Sequence, residues 1–192
     1  MDFYHIDRRK CLSSSQQIRL SKIPKSTPNL RPSDKSILEK FNYELSQHGI
    51  VYLSHQFDFP SSGATNAQVE LVFELVRQLY FPEKLSRFQS IFAFKEPDSW
   101  KKFIPFNKLP RNSFNIVLLE AEYYEEYDAF WLHSHFNTTK YGQVHEKYSN
   151  SYILSNAFSY WSGEKSAIPQ MECLLKCPVT VNGIFHENNL PG

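Results

Sequence analysis

An α+β fold is what this sequence predicts, and three observations carry the prediction. Strand-like runs stand at both ends of the chain, at residues 2–8 and again at 170–175 and 179–185. Amphipathic helical stretches lie between them, most clearly at residues 65–80, where apolar side chains recur at three- and four-residue steps. The spacing does not suit the regular strand–helix alternation of a doubly wound sheet. The 192 residues hold no internal repeat and no long linker, so a single domain over residues 1–192 is expected.

Taken in order, Asp-Phe-Tyr-His-Ile-Asp-Arg (2–8) reads as a strand. Ser13-Ser14-Ser15 and then Pro24, Pro28 and Pro32 mark an irregular connection, with a short strand at Gln17–Leu20. A first helix is predicted from Ser33 or Asp34 to His48, with Ile37, Leu38, Phe41 and Leu45 on its inner face and Gly49 as its end. Ile50–Leu53 is too short to classify. Thr65-x-x-Gln68 is a capping box, and Val69, Val72, Phe73, Val76, Leu79 and Tyr80 form the stripe of a second helix before Pro82. Ser86–Phe94 partly alternates like a strand entering a core, Asp98–Phe103 suits a short helix, and Phe114–Ala121 is the most strand-like run of all. A third helix fits Tyr141–Trp161 and ends before Gly163. Gln170–Leu175 and Val179–Phe185 close the chain as strands on either side of Pro178.

Composition narrows the function classes. Hydrophobic residues make up 41% and aromatics 16%, enough apolar area to drive folding without disulfides. Lys plus Arg number 21 against 20 Asp plus Glu, so net charge gives no general reason to expect nucleic acid or membrane. No apolar run approaches the length of a membrane span. Cys11, Cys173 and Cys177 are an odd set, and the N-terminus shows no secretory leader, so reduced thiols and a cytoplasmic setting are the expectation.

Four constellations carry chemistry-bearing residues. On an extended strand Gln170 and Glu172 share a face: either a solvated edge, or a carboxylate at a cleft rim with an amide beside it. His5 and Asp7 share a face of the first strand, with Tyr4, Ile6 and Arg8 opposite. Ser86-Arg87-Phe88-Gln89-Ser90 sets a guanidinium among hydroxyls, which suits an anionic ligand or a plain strand-entry turn. His133, His135 and His145 offer imidazoles for a metal-dependent hydrolase or nuclease, without an acid or thiolate at a recognisable spacing. Lys95, Lys101, Lys102, Lys108 and Arg111 alternate with Trp100, Phe103 and Phe106. That pattern fits single-stranded nucleic acid as well as an amphipathic helix with solvated lysines.

In this order the pieces resemble the bacterial ADP-ribosyltransferase superfamily, especially its small toxin-like branch once catalogued as domains of unknown function. The matching residues are Tyr4-His5; Ser86-Arg87-x-x-Ser90 before Phe92-Ala93; Asp128-x-x-Trp131-Leu132; Tyr160-Trp161-x-Gly163; and Glu172 before Pro178-Val179-x-Val181. The resemblance implies a split, mixed or antiparallel sheet with flanking helices. It implies Glu172 and Gln170 as the catalytic pair, and Tyr4, His5, Arg8, Arg87 and Ser90 as the residues that hold NAD. NAD would be a consumed substrate, with no metal required. The acceptor would be RNA, somewhat ahead of protein, and the chain a toxin or defence effector with a neutralising antitoxin. A nucleotide-binding module that keeps the fold without catalysis is the alternative.

Overall fold

The computed structural model describes residues 1–22, 40, 44–53, 64–96, 99, 114–132 and 150–186. Its elements in chain order are β1 (Asp2–Asp7), β2 (Gln17–Ile18), α1 (Gln47–Leu53), α2 (Ala64–Tyr80), a 3-10 turn (Arg87–Gln89), β3 (Ser90–Ala93), β4 (Asn115–Glu120), β5 (Tyr124–Asp128), a second 3-10 turn (Ala129–Leu132), α3 (Asn150–Ser162), β6 (Met171–Lys176) and β7 (Val179–His186). The fold is α+β.

The strands form two sheets, ordered β1-β4-β7-β2 and β3-β6-β5, and every pairing between them is antiparallel. The edges β1 and β3 are joined where Tyr4 and Phe94 exchange backbone bonds of 2.7 and 2.8 Å. Residues 2–8 and 170–175 therefore belong to one split-sheet system. Between the sheets lie Phe3, Ile91, Ala93, Val117, Leu119, Cys173, Leu175, Val179 and Val181. On the far side of the smaller sheet, Leu174 and Tyr127 pack against Val69, Phe73 and Val76 of α2 and Ile153, Ala157, Tyr160 and Trp161 of α3. β4 is central, with Val117 and Leu119 facing one core and Ile116 another, which is why it reads as an unbroken apolar run.

Three expectations need correcting. Residues 44–46 are not helical: Leu45 exchanges two 2.9 Å backbone bonds with Ser21, and the helix begins only at Gln47. The earlier part of that predicted helix, residues 33–39 and 41–43, lies outside the described residues, as do residues 141–149 of the third and nearly all of Asp98–Phe103. After β4 the chain bends at Glu122, and the rest of the acidic run forms β5, an edge strand. Its charges are accommodated there: Lys95 reaches Glu126 at 2.6 Å, and Glu125 accepts from the Leu85 backbone at 2.8 Å. Ser86–Gln89 is a 3-10 turn before the strand, started by the Ser86 hydroxyl accepting from the Phe88 N–H at 3.1 Å.

Gly49 lies inside α1, so it does not end a helix as its sequence position suggests. A Cβ there would collide with the Phe88 carbonyl oxygen and crowd the Phe88 backbone carbons. Ser46 caps this helix, accepting from the Gly49 N–H at 3.2 Å, and donates its own N–H to the Phe88 carbonyl at 2.8 Å. Helix propensity alone favours Ala over Gly by about 1 kcal/mol. Overpacking against backbone, which has no rotamer to yield, costs about 1–3 kcal/mol. Gly49→Ala should therefore lower the urea midpoint; an unchanged or raised midpoint would show that α1 does not approach Phe88 this closely.

Candidate functional site

The 3-10 turn before β3 sends Arg87 inward, where it is 2% exposed. Its Nε donates to Glu70 Oε2 at 2.6 Å and its Nη2 to Glu70 Oε1 at 2.8 Å, a paired grip on a carboxylate carried by α2. Its Nη1 donates to the Tyr160 hydroxyl at 2.5 Å and to Glu172 Oε1. Tyr160, fully buried on α3, donates its hydroxyl to the same Glu172 oxygen at 2.8 Å. The guanidinium also lies 4.4 Å over the Phe92 ring. One cation thus faces two carboxylates, both 4% exposed.

The energetics of this group follow from burial and charge. Desolvation alone would lower the Arg87 pKa, but Glu172 and Glu70 more than offset it and hold the guanidinium cationic. Burial raises the Glu70 pKa despite the attraction of Arg87, with the charge of Glu172 adding to the rise. Burial likewise raises that of Tyr160. With both carboxylates ionised the group carries an excess negative charge. Such an imbalance is costly in a core and common at functional sites. Both bonds to Glu172 fall on Oε1, and among the described residues Oε2 accepts none.

A second set of groups meets this cluster from the side of β1. His5 Nδ1 lies 2.7 Å from the Phe92 carbonyl, which can only accept, so Nδ1 carries the proton. Burial lowers the His5 pKa, keeping the ring neutral with Nε2 as an acceptor. His48 on α1 packs 4.7 Å from Phe92 and 6.2 Å from His5, ring to ring, with Tyr52 at 6.3 Å. Its pKa falls to about 3, through burial first, then coupling to His5 and the charges of Arg87, Arg8 and Arg9. Its buried Nδ1 has no hydrogen-bond partner among the described residues. Arg8 is exposed just beyond β1, in a turn pinned by Asp7, which accepts from the Arg9 and Leu12 N–H groups at 3.1 and 3.0 Å.

A family model described as a protein of unknown function matches residues 3–187, nearly the full length of the split sheet and its helices. The chain belongs to this family, DUF2441. None of the curated proteins compared with it matches.

In this DUF2441 chain the residues singled out by sequence fall into two groups. His5, Arg87 and Glu172 are brought together: His5 bonds the Phe92 backbone, Arg87 covers the Phe92 ring, and Arg87 bonds Glu172. Gln170 stands just before β6, its N–H donated to Asp128 at 2.7 Å, which fixes where the Glu172 strand begins. Arg87 and Ser90 are not open to a ligand anion as expected. Arg87 donates inward to two acids, and Ser90 is fully buried with its hydroxyl donated to the Ser86 carbonyl at 2.7 Å. Tyr4 spends its backbone on the bridge between the sheets. The histidines His133, His135 and His145 lie outside the described residues. No group of three or more potential metal ligands occurs among the described ones.

Two sequence motifs prove to be positioning devices. In Asp128-x-x-Trp131-Leu132, Asp128 accepts from the backbone N–H groups of Gln170 and Ser166 at 2.7 Å each and of Phe130 at 3.0 Å. Burial alone would raise its pKa, but these donors overrule it and hold the carboxyl below the usual range. In Tyr160-Trp161-x-Gly163, Gly163 takes φ +79° and closes α3 with 3.0 Å bonds from Gly163 N–H to the Tyr160 carbonyl and from Glu164 N–H to the Ser159 carbonyl. That closure sets the last turn carrying Tyr160. Sequence reasoning missed Glu70, His48 and Tyr52. Glu70 had a readable signal: it sits beside Val69 and one turn from Phe73, an acid on the buried face of an amphipathic helix.

Proposed function

We propose that this chain is an ADP-ribosyltransferase that cleaves NAD and passes ADP-ribose to a macromolecular acceptor. The observation that carries the reading is Glu172, gripped by one oxygen beside a second buried acid, while its other oxygen accepts no hydrogen bond among the described residues. As the ribose–nicotinamide bond breaks, its electron pair leaves with nicotinamide and the ribose becomes cationic. A fixed carboxylate about 4 Å away attracts that charge by about 4 kcal/mol at an effective dielectric of 20, or roughly 10³ in rate. The acceptor then bonds the ribose carbon and releases its proton to solvent. Neutral His5 offers Nε2 to a hydroxyl of the substrate, and exposed Arg8 is a cation suited to the pyrophosphate.

The acceptor on this reading is RNA ahead of protein, and the chain is a toxin or defence effector, with a neutralising partner. A second reading also draws on an observation. Glu172 is 4% exposed and ion-paired with Arg87, as expected of a nucleotide-binding module that does not turn NAD over. Incubating the protein with NAD labelled in its adenylate half, plus cell extract, separates the two. Transferase activity releases nicotinamide and moves label into an RNA or protein fraction. NAD binding without release of nicotinamide would leave the module reading in its place.

A further inference from the structure

We infer that Glu70 is a positioning residue for Glu172, acting through the guanidinium they share; the inference deepens the transferase reading and rests on it. Guanidinium and carboxylate are planar forks of matching spacing, so an unconstrained pair settles into two parallel bonds that engage both carboxylate oxygens. Arg87 gives that geometry to Glu70, through Nε at 2.6 Å and Nη2 at 2.8 Å. Glu172 receives only Nη1, and receives it on the same oxygen that Tyr160 already bonds at 2.8 Å. The grip on Glu70 fixes the position and plane of the guanidinium, and held there it reaches Glu172 through Nη1 alone.

This division of one cation between two acids has two consequences at Glu172. Its Oε2 stays uncovered for a ribose hydroxyl, because the guanidinium is held where it meets Oε1 only. The carboxylate also shares its cation with a second acid, since Arg87 is paired with Glu70 as well as with Glu172. Without Glu70, Arg87 is free to close on both oxygens of Glu172 and screen the charge that a cationic ribose must feel. Glu70 is 4% exposed and held by Arg87, so its effect reaches the substrate through Arg87 and Glu172.

The test uses the full chain carrying Glu70→Gln, with nicotinamide release, NAD affinity by calorimetry, and a crystal structure. The expected result is a fall in kcat on the order of 10²-fold with NAD affinity within about threefold of native, since the group acts on charge in the transition state. In the crystal, Arg87 should bond both oxygens of Glu172. Glu70→Asp keeps the charge on a shorter stem and should retain more turnover than Glu70→Gln, which also guards against a variant that fails to fold. Turnover of Glu70→Gln within about threefold of native, or Glu70→Asp no better than Glu70→Gln, would overturn the inference. If the native chain releases no nicotinamide, the transferase reading itself fails. The positioning claim is then decided by the Glu70→Gln crystal: it stands if Arg87 has closed on both Glu172 oxygens and falls if Arg87 is unmoved.

Discussion

Glu172→Gln is expected to keep the fold and NAD affinity while NAD turnover falls by a factor on the order of 10²–10³. The fold should survive because the amide oxygen can still accept from Arg87 Nη1 and from the Tyr160 hydroxyl, the two bonds that Glu172 Oε1 accepts now. Arg87 would keep its pair with Glu70, and the buried group would become charge-balanced. Thermal unfolding should therefore occur no earlier than in the native protein, while the negative charge facing the ribose is gone. Growth inhibition on expression, if the chain is a toxin, should be relieved in parallel. Turnover within about threefold of native in a folded variant would sink the transferase reading. The acid-rich run from Glu120 to Asp128 offers poor substitutes. Asp128 accepts three backbone N–H groups, Glu125 bonds Leu85 and Tyr127, and Glu126 pairs with Lys95.

The strands β1, β4, β6 and β7 and the helix α2 were legible because each carries its period in its own residues. Alternation, or an unbroken apolar run, marks a strand that faces one core or two. β5 was not legible, since an edge strand needs few apolar side chains and Tyr124–Asp128 is mostly acid and tyrosine. Gly49 misled for a related reason. Glycine before an apolar run suggests a helix end, but this one is required by the Phe88 carbonyl, a contact made by a residue far along the chain. The site was half legible. Local sequence nominated His5, Arg87 and Glu172, and the fold does gather them. What local sequence lacks is the partner of each group. Nothing near Arg87 says that Glu70 and Glu172 will compete for it, and so nothing says that it will point away from a ligand anion. Ser90 shows the same limit: a hydroxyl at a strand entry looks available until its acceptor, the Ser86 carbonyl, is seen.

Arg87→Met should be among the most destabilising single changes in the described residues, and its cost should depend on pH in a direction the cluster dictates. Methionine fills similar volume but leaves Glu70 and Glu172 buried together without a cation. Removing one partner from a buried ion pair typically costs about 3–5 kcal/mol. Two carboxylates sharing such a site hold their protons more tightly than in the unfolded chain, where Glu titrates near about 4.3. Folded-state pKa values raised above the unfolded value mean that the penalty is absent below about pH 4.3, grows as pH rises through that range, and is complete above the raised values. Native Glu70 already shows the direction: burial raises its pKa even with Arg87 in place, and losing the guanidinium removes the main opposing influence. The stability gap between native protein and Arg87→Met, measured by urea unfolding, should therefore be wider at pH 8 than at pH 5. Arg87→Lys keeps the charge as a single point without the fork, and should fall between the two at pH 8. A gap that is the same at both pH values would mean that the two acids do not share an uncompensated site. In that case the excess negative charge invoked for the cationic ribose would not exist in the folded protein.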